Sequence, residues 1–395
     1  MIYISFIFLL LFLIYFYDYK GIRQFKTEWV VFVLLILIVI GGIRFRTGGD
    51  SANYLHDYAD MPSLFDYFTF NFDRTRYGKG FILLNSITKT ISDDFLLFQI
   101  VHSSIVNIVI TWFFLKYTKH IFFAFLLYFI VIYFFFIFEV LRESLAVVTF
   151  LIAWKYFLNN KLTKYFLLCV IAFLFHPSSF FIFLIPIVYK SPIKKFFFLN
   201  KYFVFAFIGF TILCVILSTK FFEYIRLLEM STVDNYAKMY ENSKNGSARE
   251  LGFFNIIAFI IRVFIYPLGA YWIIKNSKNT DKNYLDKLEY LICWFLYFSI
   301  MTLFIRIFNR FINYFYPFII ILLSDVIFMP IKYKKYKIKL TFLTWAVCML
   351  PYISLFILYF FKEAEDGIKN YSKYYPYESV FYQEENEKKN KLLNY

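Results

Sequence analysis

The sequence contains few charged residues for its length. Charged side chains make up 17% of the 395 residues, whereas soluble domains carry about 25%. The charges also occur in short clusters that separate apolar runs of about 15–22 residues, which as helices can cross the ~30 Å hydrocarbon core of a bilayer. This shortage of charge excludes a water-soluble fold and predicts a membrane protein.

Cysteine and the motifs of soluble enzymes are equally scarce. The four cysteines lie within apolar runs and lack the spacing of metal ligands, which is typical of inert packing residues. The sequence has no phosphate-binding glycine loop, no GxSxG, no HExxH and no DxD motif. We therefore predict no metal site and no cofactor.

Apolar and aromatic residues are abundant, at 61% and 25% of the chain. Their runs do not alternate with polar residues as barrel strands do, and backbone groups in the bilayer core must be paired within the segment. We therefore predict an all-α polytopic integral membrane protein of about 10–12 transmembrane segments, forming a single transmembrane domain over residues 1–395. The predicted spans are 2–17, 29–43, 94–115, 121–138, 140–158, 165–175, 178–189, 202–218, 253–274, 288–305, 311–328 and 341–361.

Two helix breaks and one surface helix stand out in this pattern. The stretch 121–158 is too long for one span, so we expect a corner at Glu139–Glu143. The runs 165–175 and 178–189 meet at His176-Pro177, where proline interrupts helical hydrogen bonding. Residues 77–91 predict an amphipathic helix on the outer leaflet, followed by a span that Asp93 and Asp94 cap.

The distribution of lysine and arginine predicts the orientation. If the first span runs from outside to inside, the inner segments carry the basic excess and the outer segments are nearly neutral. Both termini are then outside, together with the long loops 44–93 and 219–252 and the tail 362–395. The basic excess is explained by topology, so it does not indicate nucleic acid.

Charged residues at the outer helix ends are the candidates for chemistry. In the segment Arg44–Asp50, two arginines, two adjacent glycines and an acid would bring the backbone close to an anionic head group. The alternative is that Arg44 and Arg46 snorkel from a helix end. Arg306 and Arg310 would form a polar stripe with Asn313, and arginine planes bind phosphate oxygens in a bidentate way.

Two further groups flank the predicted breaks. Glu139, Arg142 and Glu143 are spaced i, i+3 and i+4, which would place them on one helical face. They either face a cavity or form an internal ion pair at a tight corner. His176 either caps the helix break or acts as a general base, since histidine titrates near neutral pH.

These residues carry a resemblance to a known family. The chain resembles the EpsG family of Wzy-type polysaccharide polymerases in four segments, which are Ile43–Tyr54, Arg142–Ala146, Phe175–Ser179 and Tyr374–Tyr377. The first segment matches the family pattern R-x-x-x-G-x-D-x-x-x-Y through Arg44, Gly48, Asp50 and Tyr54, with an extra glycine at Gly49.

The resemblance implies a glycosyltransferase of the bacterial plasma (inner) membrane that needs no metal and no nucleotide. It would move a growing glycan from undecaprenyl pyrophosphate to a sugar hydroxyl of another lipid-linked repeat unit, outside the cytoplasmic leaflet, in O-antigen, capsule or exopolysaccharide synthesis. Cations must stabilise the departing pyrophosphate, and a base must take the acceptor proton. The expected cations are Arg44, Arg46, Arg142, Arg249, Arg306 and Arg310, and the candidate bases are His176, Asp50 and Glu139.

The expected partners are the undecaprenyl-pyrophosphate-linked oligosaccharide, the lipid bilayer, and flippase and chain-length regulator proteins. Two alternatives remain open, namely a flippase or transporter for the same lipid-linked sugars and an O-antigen-type ligase. Transporters commonly show two related halves with interrupted helices at the midplane. The sequence shows no such repeat, which favours the polymerase.

Overall fold

The computed structural model of the chain describes residues 2–218, 257, 259–276, 281–304, 308–328, 373–374 and 377–381. Regular structure in these residues is helical, apart from one isolated antiparallel bridge between Arg44 and Ser379. The predicted all-α class is therefore confirmed for the described part of the chain.

Several helices are apolar enough for a bilayer. Within the described ranges, three are also long enough to cross it, namely Ile2–Tyr19, Phe95–Tyr117 and Lys282–Phe304. Shorter apolar helices are Ile121–Tyr133, Leu162–Phe175, Pro177–Lys190, Lys201–Ile216 and Tyr316–Val326. The total of 10–12 spans stays a prediction.

The chain divides into two compact units, residues 1–183 with 320–395, and residues 184–319. The helices of the first unit are α1 (Ile2–Leu13, continued by a π-helical turn Ile14–Tyr19), α2 (Lys26–Gly42), α3 (Ser51–Ala59), α4 (Lys79–Ile91), α5 (Phe95–Tyr117), α6 (Ile121–Tyr128), α7 (Leu141–Leu158) and α8 (Leu162–Phe175). The second unit contains α9 (Leu184–Lys190), α10 (Lys201–Ser218), α11 (Tyr266–Lys275), α12 (Lys282–Phe304) and α13 (Asn309–Ile312). The boundary between the units falls within α14 (Tyr316–Val326).

Helix α5 lies at the centre of the first unit, where it contacts α2, α4, α6 and α7. Polar side chains on α5 bond to these neighbours. Ser103 Oγ donates to the Ile38 carbonyl of α2 at 3.1 Å, and His102 Nε2 lies 3.0 Å from the Leu141 carbonyl at the start of α7. Such bonds join helices where apolar burial alone provides little driving force, so they fix the positions of the helix ends that carry the site.

The stretch 121–158 is interrupted where the sequence predicts. Two π-helical turns follow α6, and Val140 (φ −110°, ψ 57°) ends the helix before α7 begins. However, the prediction that Glu139, Arg142 and Glu143 share one helical face is wrong. The i, i+3, i+4 rule requires a continuous helix, and Val140 separates Glu139 from the other two residues.

The break at His176-Pro177 is also confirmed. Helix α8 ends at Phe175, and a 3-10 helix follows over Pro177–Phe183. The Tyr165 hydroxyl, near the start of α8, donates to the Ile182 carbonyl at 2.7 Å. The 3-10 helix therefore runs back along α8, and the pair forms a hairpin whose turn carries His176.

The predicted span 311–328 is not one continuous helix. A turn at residues 313–315 separates α13 from α14. Pro317 has no N–H to donate to the carbonyl four residues earlier, on Asn313, which explains the interruption. Asn313 ends α13 with helical backbone angles (φ −57°, ψ −30°), so the predicted stripe with Arg310 stays a prediction.

The predicted amphipathic helix is present as α4, and its place on the outer leaflet stays a prediction. Its buried face contains Phe81, Ile82 and Asn85, and the carboxylate of Asp94 accepts a hydrogen bond from the Leu96 N–H at 2.9 Å, which caps α5. At another place in the first unit, Asp18 accepts from the backbone of α6 and Asp325 accepts from Thr118. These bonds join segments that the sequence predicts to face inside.

Candidate functional site

The loop after α2 is folded around a buried arginine. Arg44 is 1% exposed, and its guanidinium donates to the Gly41 carbonyl in the last turn of α2 and lies 5.2 Å from the Phe138 ring centre. A cation at a helix C-terminus satisfies carbonyls that the helix leaves unbonded and interacts favourably with the helix dipole. Arg44 therefore anchors the loop from within.

Two adjacent glycines let this loop approach the helix break at Val140. Gly48 has φ +106°, and a Cβ there would lie 2.6 Å from the Phe138 carbonyl oxygen. A Cβ on Gly49 would lie 2.9 Å from Oε2 of Glu139. Because glycine has no Cβ, the Gly49 N–H reaches Oε1 of Glu139 at 2.8 Å. The backbone approach that the sequence predicts for an anionic head group is made here to a carboxylate of the protein.

Residues 373–374 and 377–381 return to this loop from a distant part of the chain. The Gly48 N–H donates to the Lys373 carbonyl at 2.9 Å, and the Phe45 N–H donates to the Glu378 carbonyl at 2.9 Å. The loop and the tail are therefore joined by backbone hydrogen bonds, which depend little on side-chain identity.

Tyr374 extends this contact to Glu139. Its hydroxyl donates to Oε1 of Glu139 at 2.5 Å, while its carbonyl accepts from the Tyr3 hydroxyl at 3.0 Å. The Tyr374 ring lies 5.5 Å from the ring of Phe134. Glu139 is thus held by two donors, from Gly49 and from Tyr374. Hydrogen bonds to an ionised group are short and strong.

Arg142, in the first turn of α7, contacts the segment that precedes α4. Its Nη1 donates to the Arg76 carbonyl at 2.9 Å, and its guanidinium lies 4.6 Å from the Tyr77 ring centre. The Tyr77 hydroxyl donates to Asp57, which also accepts from Arg76 Nη2 at 3.1 Å. The guanidinium plane of Arg142 is therefore held by a carbonyl at one edge and by an aromatic ring.

Two tyrosines beside Arg142 keep their protons at neutral pH. Burial raises the pKa of Tyr54, and the positive charge of Arg142 opposes this shift. Burial also raises the pKa of Tyr77, and its hydrogen bond to Asp57 adds to the effect. Both residues therefore carry neutral hydroxyl groups, and the two rings stack with centres 6.1 Å apart.

His176 is buried in the turn of the α8 hairpin. Its Nδ1 accepts a hydrogen bond from the Ser178 N–H at 3.1 Å and lies 2.7 Å from the Ser178 hydroxyl. A neutral imidazole whose Nδ1 accepts carries its proton on Nε2. This geometry corresponds to the capping alternative. Gly78 packs against the Leu174 carbonyl, so the hairpin also contacts the segment that follows Tyr77.

A model of the EpsG family matches residues 28–379, nearly the whole chain. The chain belongs to the EpsG family. EpsG is a family of Wzy-like polymerases, and its apolar helices make this member an integral membrane protein. Neither the curated proteins nor the solved structures gave a match.

Three of the EpsG motif segments meet in the first unit, and the fourth adjoins them. Lys373 and Glu378, which flank the tail segment, bond to the Ile43–Tyr54 loop through their backbone, and Tyr374 bonds to Glu139. The Arg142 segment adjoins the same loop through Tyr77, whose ring lies beside the Arg142 guanidinium and stacks on Tyr54. The His176 turn adjoins through Gly78. The resemblance seen in the sequence therefore corresponds to segments that are neighbours in the fold.

Three of the remaining predicted site residues, Asp50, Arg46 and Arg310, lie in described parts of the chain. Asp50 is exposed at the N-cap position of α3, where its side chain makes no capping hydrogen bond. Arg46 adopts a left-handed backbone (φ +44°) and lies over the Phe45 ring at 5.0 Å. Arg310 belongs to the second unit. Arg249 and Arg306 lie outside the described residues.

Sequence reasoning missed Asp57, Arg76 and Tyr77. Asp57 and Tyr77 are 20 residues apart and carry no local motif. The one available signal was the close succession of cations and an aromatic residue just before α4. Within the described ranges, no group of three or more His, Cys, Asp or Glu side chains is arranged to hold a metal ion.

Proposed function

We propose that this EpsG-family protein is a polysaccharide polymerase that acts on undecaprenyl-pyrophosphate-linked oligosaccharides. The hydroxyl oxygen of the acceptor sugar attacks the anomeric carbon that links the donor glycan to its carrier. The bond from that carbon to the pyrophosphate oxygen breaks, and the lipid pyrophosphate leaves with the bonding electrons. A base on the protein takes the hydroxyl proton. The energy is stored in the pyrophosphate linkage, so the step consumes no nucleotide.

The observation that carries this proposal is the meeting of the EpsG motif segments in the first unit. Residues from the α2 loop, the helix break before α7 and the tail contact one another although they are up to 333 residues apart in the sequence, as Phe45 and Glu378 are. A reaction between two lipid-linked substrates needs cations and a base near one another. The three segments supply these groups.

Arg142 is the arginine best suited to the departing pyrophosphate. A carbonyl and an aromatic ring orient its guanidinium plane, and an oriented plane binds phosphate oxygens in a bidentate way. Arg46 is the second candidate because it is partly exposed in the same loop as Asp50. The buried Arg44 acts as the anchor of that loop. Arg249, Arg306 and Arg310 remain predicted contributors.

Asp50 is the most suitable base among the three candidates. The acceptor nitrogen of His176 is engaged by Ser178, and Oε1 of Glu139 holds two donors. Asp50 is exposed and makes no capping bond. General-base removal typically lowers the rate by about 10²–10⁴-fold, so Asp50→Asn should abolish most polymer while Asp60→Asn, at the other end of α3, should not. Equal activity of both variants would exclude Asp50 as the base.

The proposed location is the outer face of the bacterial plasma membrane. The basic segments predicted to lie inside support this orientation, with both termini and the loops 44–93 and 219–252 outside. Single cysteines at Asn71 and Asn279 test it in intact spheroplasts. A membrane-impermeant thiol reagent should label the first, and it should label the second only after the membrane is opened. The reverse pattern would overturn the orientation.

The reaction itself is tested with the full-length protein purified in detergent. It should extend lipid-linked repeat units without added nucleotide, and cells without the protein should export single repeat units in place of long chains. Accumulation of repeat units on the inner leaflet would instead favour a flippase. A protein that moves the glycan only to a different acceptor would be a ligase. Either result would refute the polymerase.

A further inference from the structure

The second unit contains an apolar cavity of about 330 Å³. Its walls come from α10, α12 and a 3-10 helix over Pro192–Phe197. The lining includes Phe196, Phe197, Ala206, Phe210, Trp294 and Phe298. An enclosure of aromatic rings without charged groups suits a hydrocarbon chain.

The walls of this cavity are held in place by specific contacts. The Tyr297 hydroxyl donates to the Phe196 carbonyl at 3.0 Å, which ties the 3-10 helix to α12. The Phe197 ring lies 4.5 Å from the Trp294 ring at an angle of 31°. Because these contacts fix both walls, the cavity is preformed and a ligand would not have to open it.

Lysines stand directly beside the cavity wall. Lys194 and Lys195 are exposed and immediately precede Phe196 in the chain. The Lys195 ammonium lies 5.1 Å from the Phe196 ring centre and 5.2 Å from the Tyr202 ring centre. Phe196 of the cavity wall is thus in contact with the Lys195 ammonium, which places positive charge at the rim of the cavity.

The chain segment at this rim carries an excess of positive charge. The segment from Lys190 to Lys201 contains four lysines and no Asp or Glu. Glu289 of α12 is nearby but buried, and it already accepts from the Leu199 N–H at 2.7 Å and pairs with Lys275 at 3.3 Å. The rim therefore remains basic.

We propose that this cavity and the Lys194-Lys195 pair bind one anionic glycerophospholipid of the bilayer. One acyl chain fills the cavity, and the phosphate diester lies on the two lysines. Basic pockets between membrane helices on the cytoplasmic side commonly bind anionic head groups, and the segment 190–201 is predicted to face inside. The inference depends on the orientation proposed above and is independent of the polymerase reaction.

Native mass spectrometry of the full-length protein tests this site. The protein should retain one phosphatidylglycerol and bind phosphatidylcholine with the same acyl chains far more weakly. Lys194→Gln/Lys195→Gln should weaken phosphatidylglycerol binding about 30-fold, since each lysine near an anionic head group contributes about 1 kcal/mol. Lys161→Gln/Lys164→Gln removes two exposed lysines from another predicted inner segment and should leave binding unchanged.

A second pair of variants tests the cavity. Ala206→Phe fills it and should lower the affinity for both lipids, whereas Ile208→Phe, on an exposed position of the same helix (53% exposed), should not. Equal binding of the two lipids by the parent protein would overturn the proposal, and so would equal effects of the two phenylalanine variants. Displacement of phosphatidylglycerol by polyprenyl phosphate would assign the site to the carrier lipid and refute a bilayer phospholipid. If Ala206→Phe does not fold, the surface lysine variants decide.

Discussion

Tyr374→Phe removes one hydroxyl from the site and leaves the aromatic ring. That hydroxyl donates to Glu139 at 2.5 Å, and a hydrogen bond to a charged group contributes about 1.5–3 kcal/mol. Its loss should raise the population of the undocked tail by about 10- to 150-fold. A cysteine in place of Ser379, whose backbone pairs with Arg44, should react with a thiol reagent mainly when the tail undocks. The labelling rate in purified protein should therefore rise by the same factor.

Two controls make this measurement specific. Tyr377→Phe removes a neutral hydrogen bond to the Ile40 carbonyl (3.0 Å), which contributes only about 0.5–1.5 kcal/mol, so labelling should rise by about 2- to 10-fold. A cysteine in place of Phe381, which is 84% exposed, should label at the same rate in each background. If Tyr374→Phe raises the labelling of the Ser379 cysteine less than twofold, or no more than Tyr377→Phe does, the tail is not held through Glu139.

Three further outcomes are expected. Arg142→Lys should lower the transfer rate about 100-fold at normal membrane abundance, since one preorganised charged contact contributes about 3 kcal/mol; near-normal polymer would exclude the pyrophosphate contact. Gly48→Ala should reduce the amount of folded protein far more than Gly21→Ala on immunoblots. Both glycines have positive φ, but a Cβ at Gly48 would lie 2.6 Å from the Phe138 carbonyl oxygen, whereas a Cβ at Gly21 would have no atom within 4 Å. Burial lowers the pKa of His120 to about 4, from about 6.5 in the unfolded chain. The unfolded chain therefore takes up a proton first as the pH falls from about 6.5 towards 4, and thermal stability should fall over that range. His120→Gln should weaken this loss, and His56→Gln, at an exposed position, should not.

The helix class and two helix breaks could be predicted from the sequence because they depend on local properties. Run length and charge located the interruption at Val140, and proline located the one at His176. The break at Asn313 was also local, since Pro317 lies four residues later, but the apolar pattern continues across it. Hydropathy alone therefore predicted one span where the backbone forms two helices.

The contacts within the site could not be predicted in the same way. The helical spacing of Glu139 and Arg142 suggested one shared face, yet Val140 directs them to different partners. Glu139 pairs with Gly49 and Tyr374, which are 90 and 235 residues away. Such pairs are set by how the helices pack, and a single sequence contains no local pattern that identifies them.

The residues that surround Arg142 could not be predicted from the sequence for the same reason. Asp57 lies in α3, and Arg76 and Tyr77 lie in the segment between α3 and α4. The aromatic and acidic residues in that segment are too numerous for one pair to be distinguished by spacing. The residues that contact Arg142 are determined by how this segment packs against the start of α7 and the end of α8.

The docked tail has a consequence for biogenesis. Tyr374 leaves the ribosome 235 residues after Glu139, and at about 5–20 residues per second this interval lasts about 12–47 s. During that time the α2 loop and Glu139 are already synthesised, but the tail that bonds to them is not. Assembly of the site therefore waits for synthesis of the tail, and docking of the tail is the step that completes it. Delaying that synthesis, for example by slowing translation after α14, should yield protein whose earlier segments are made but which is inactive.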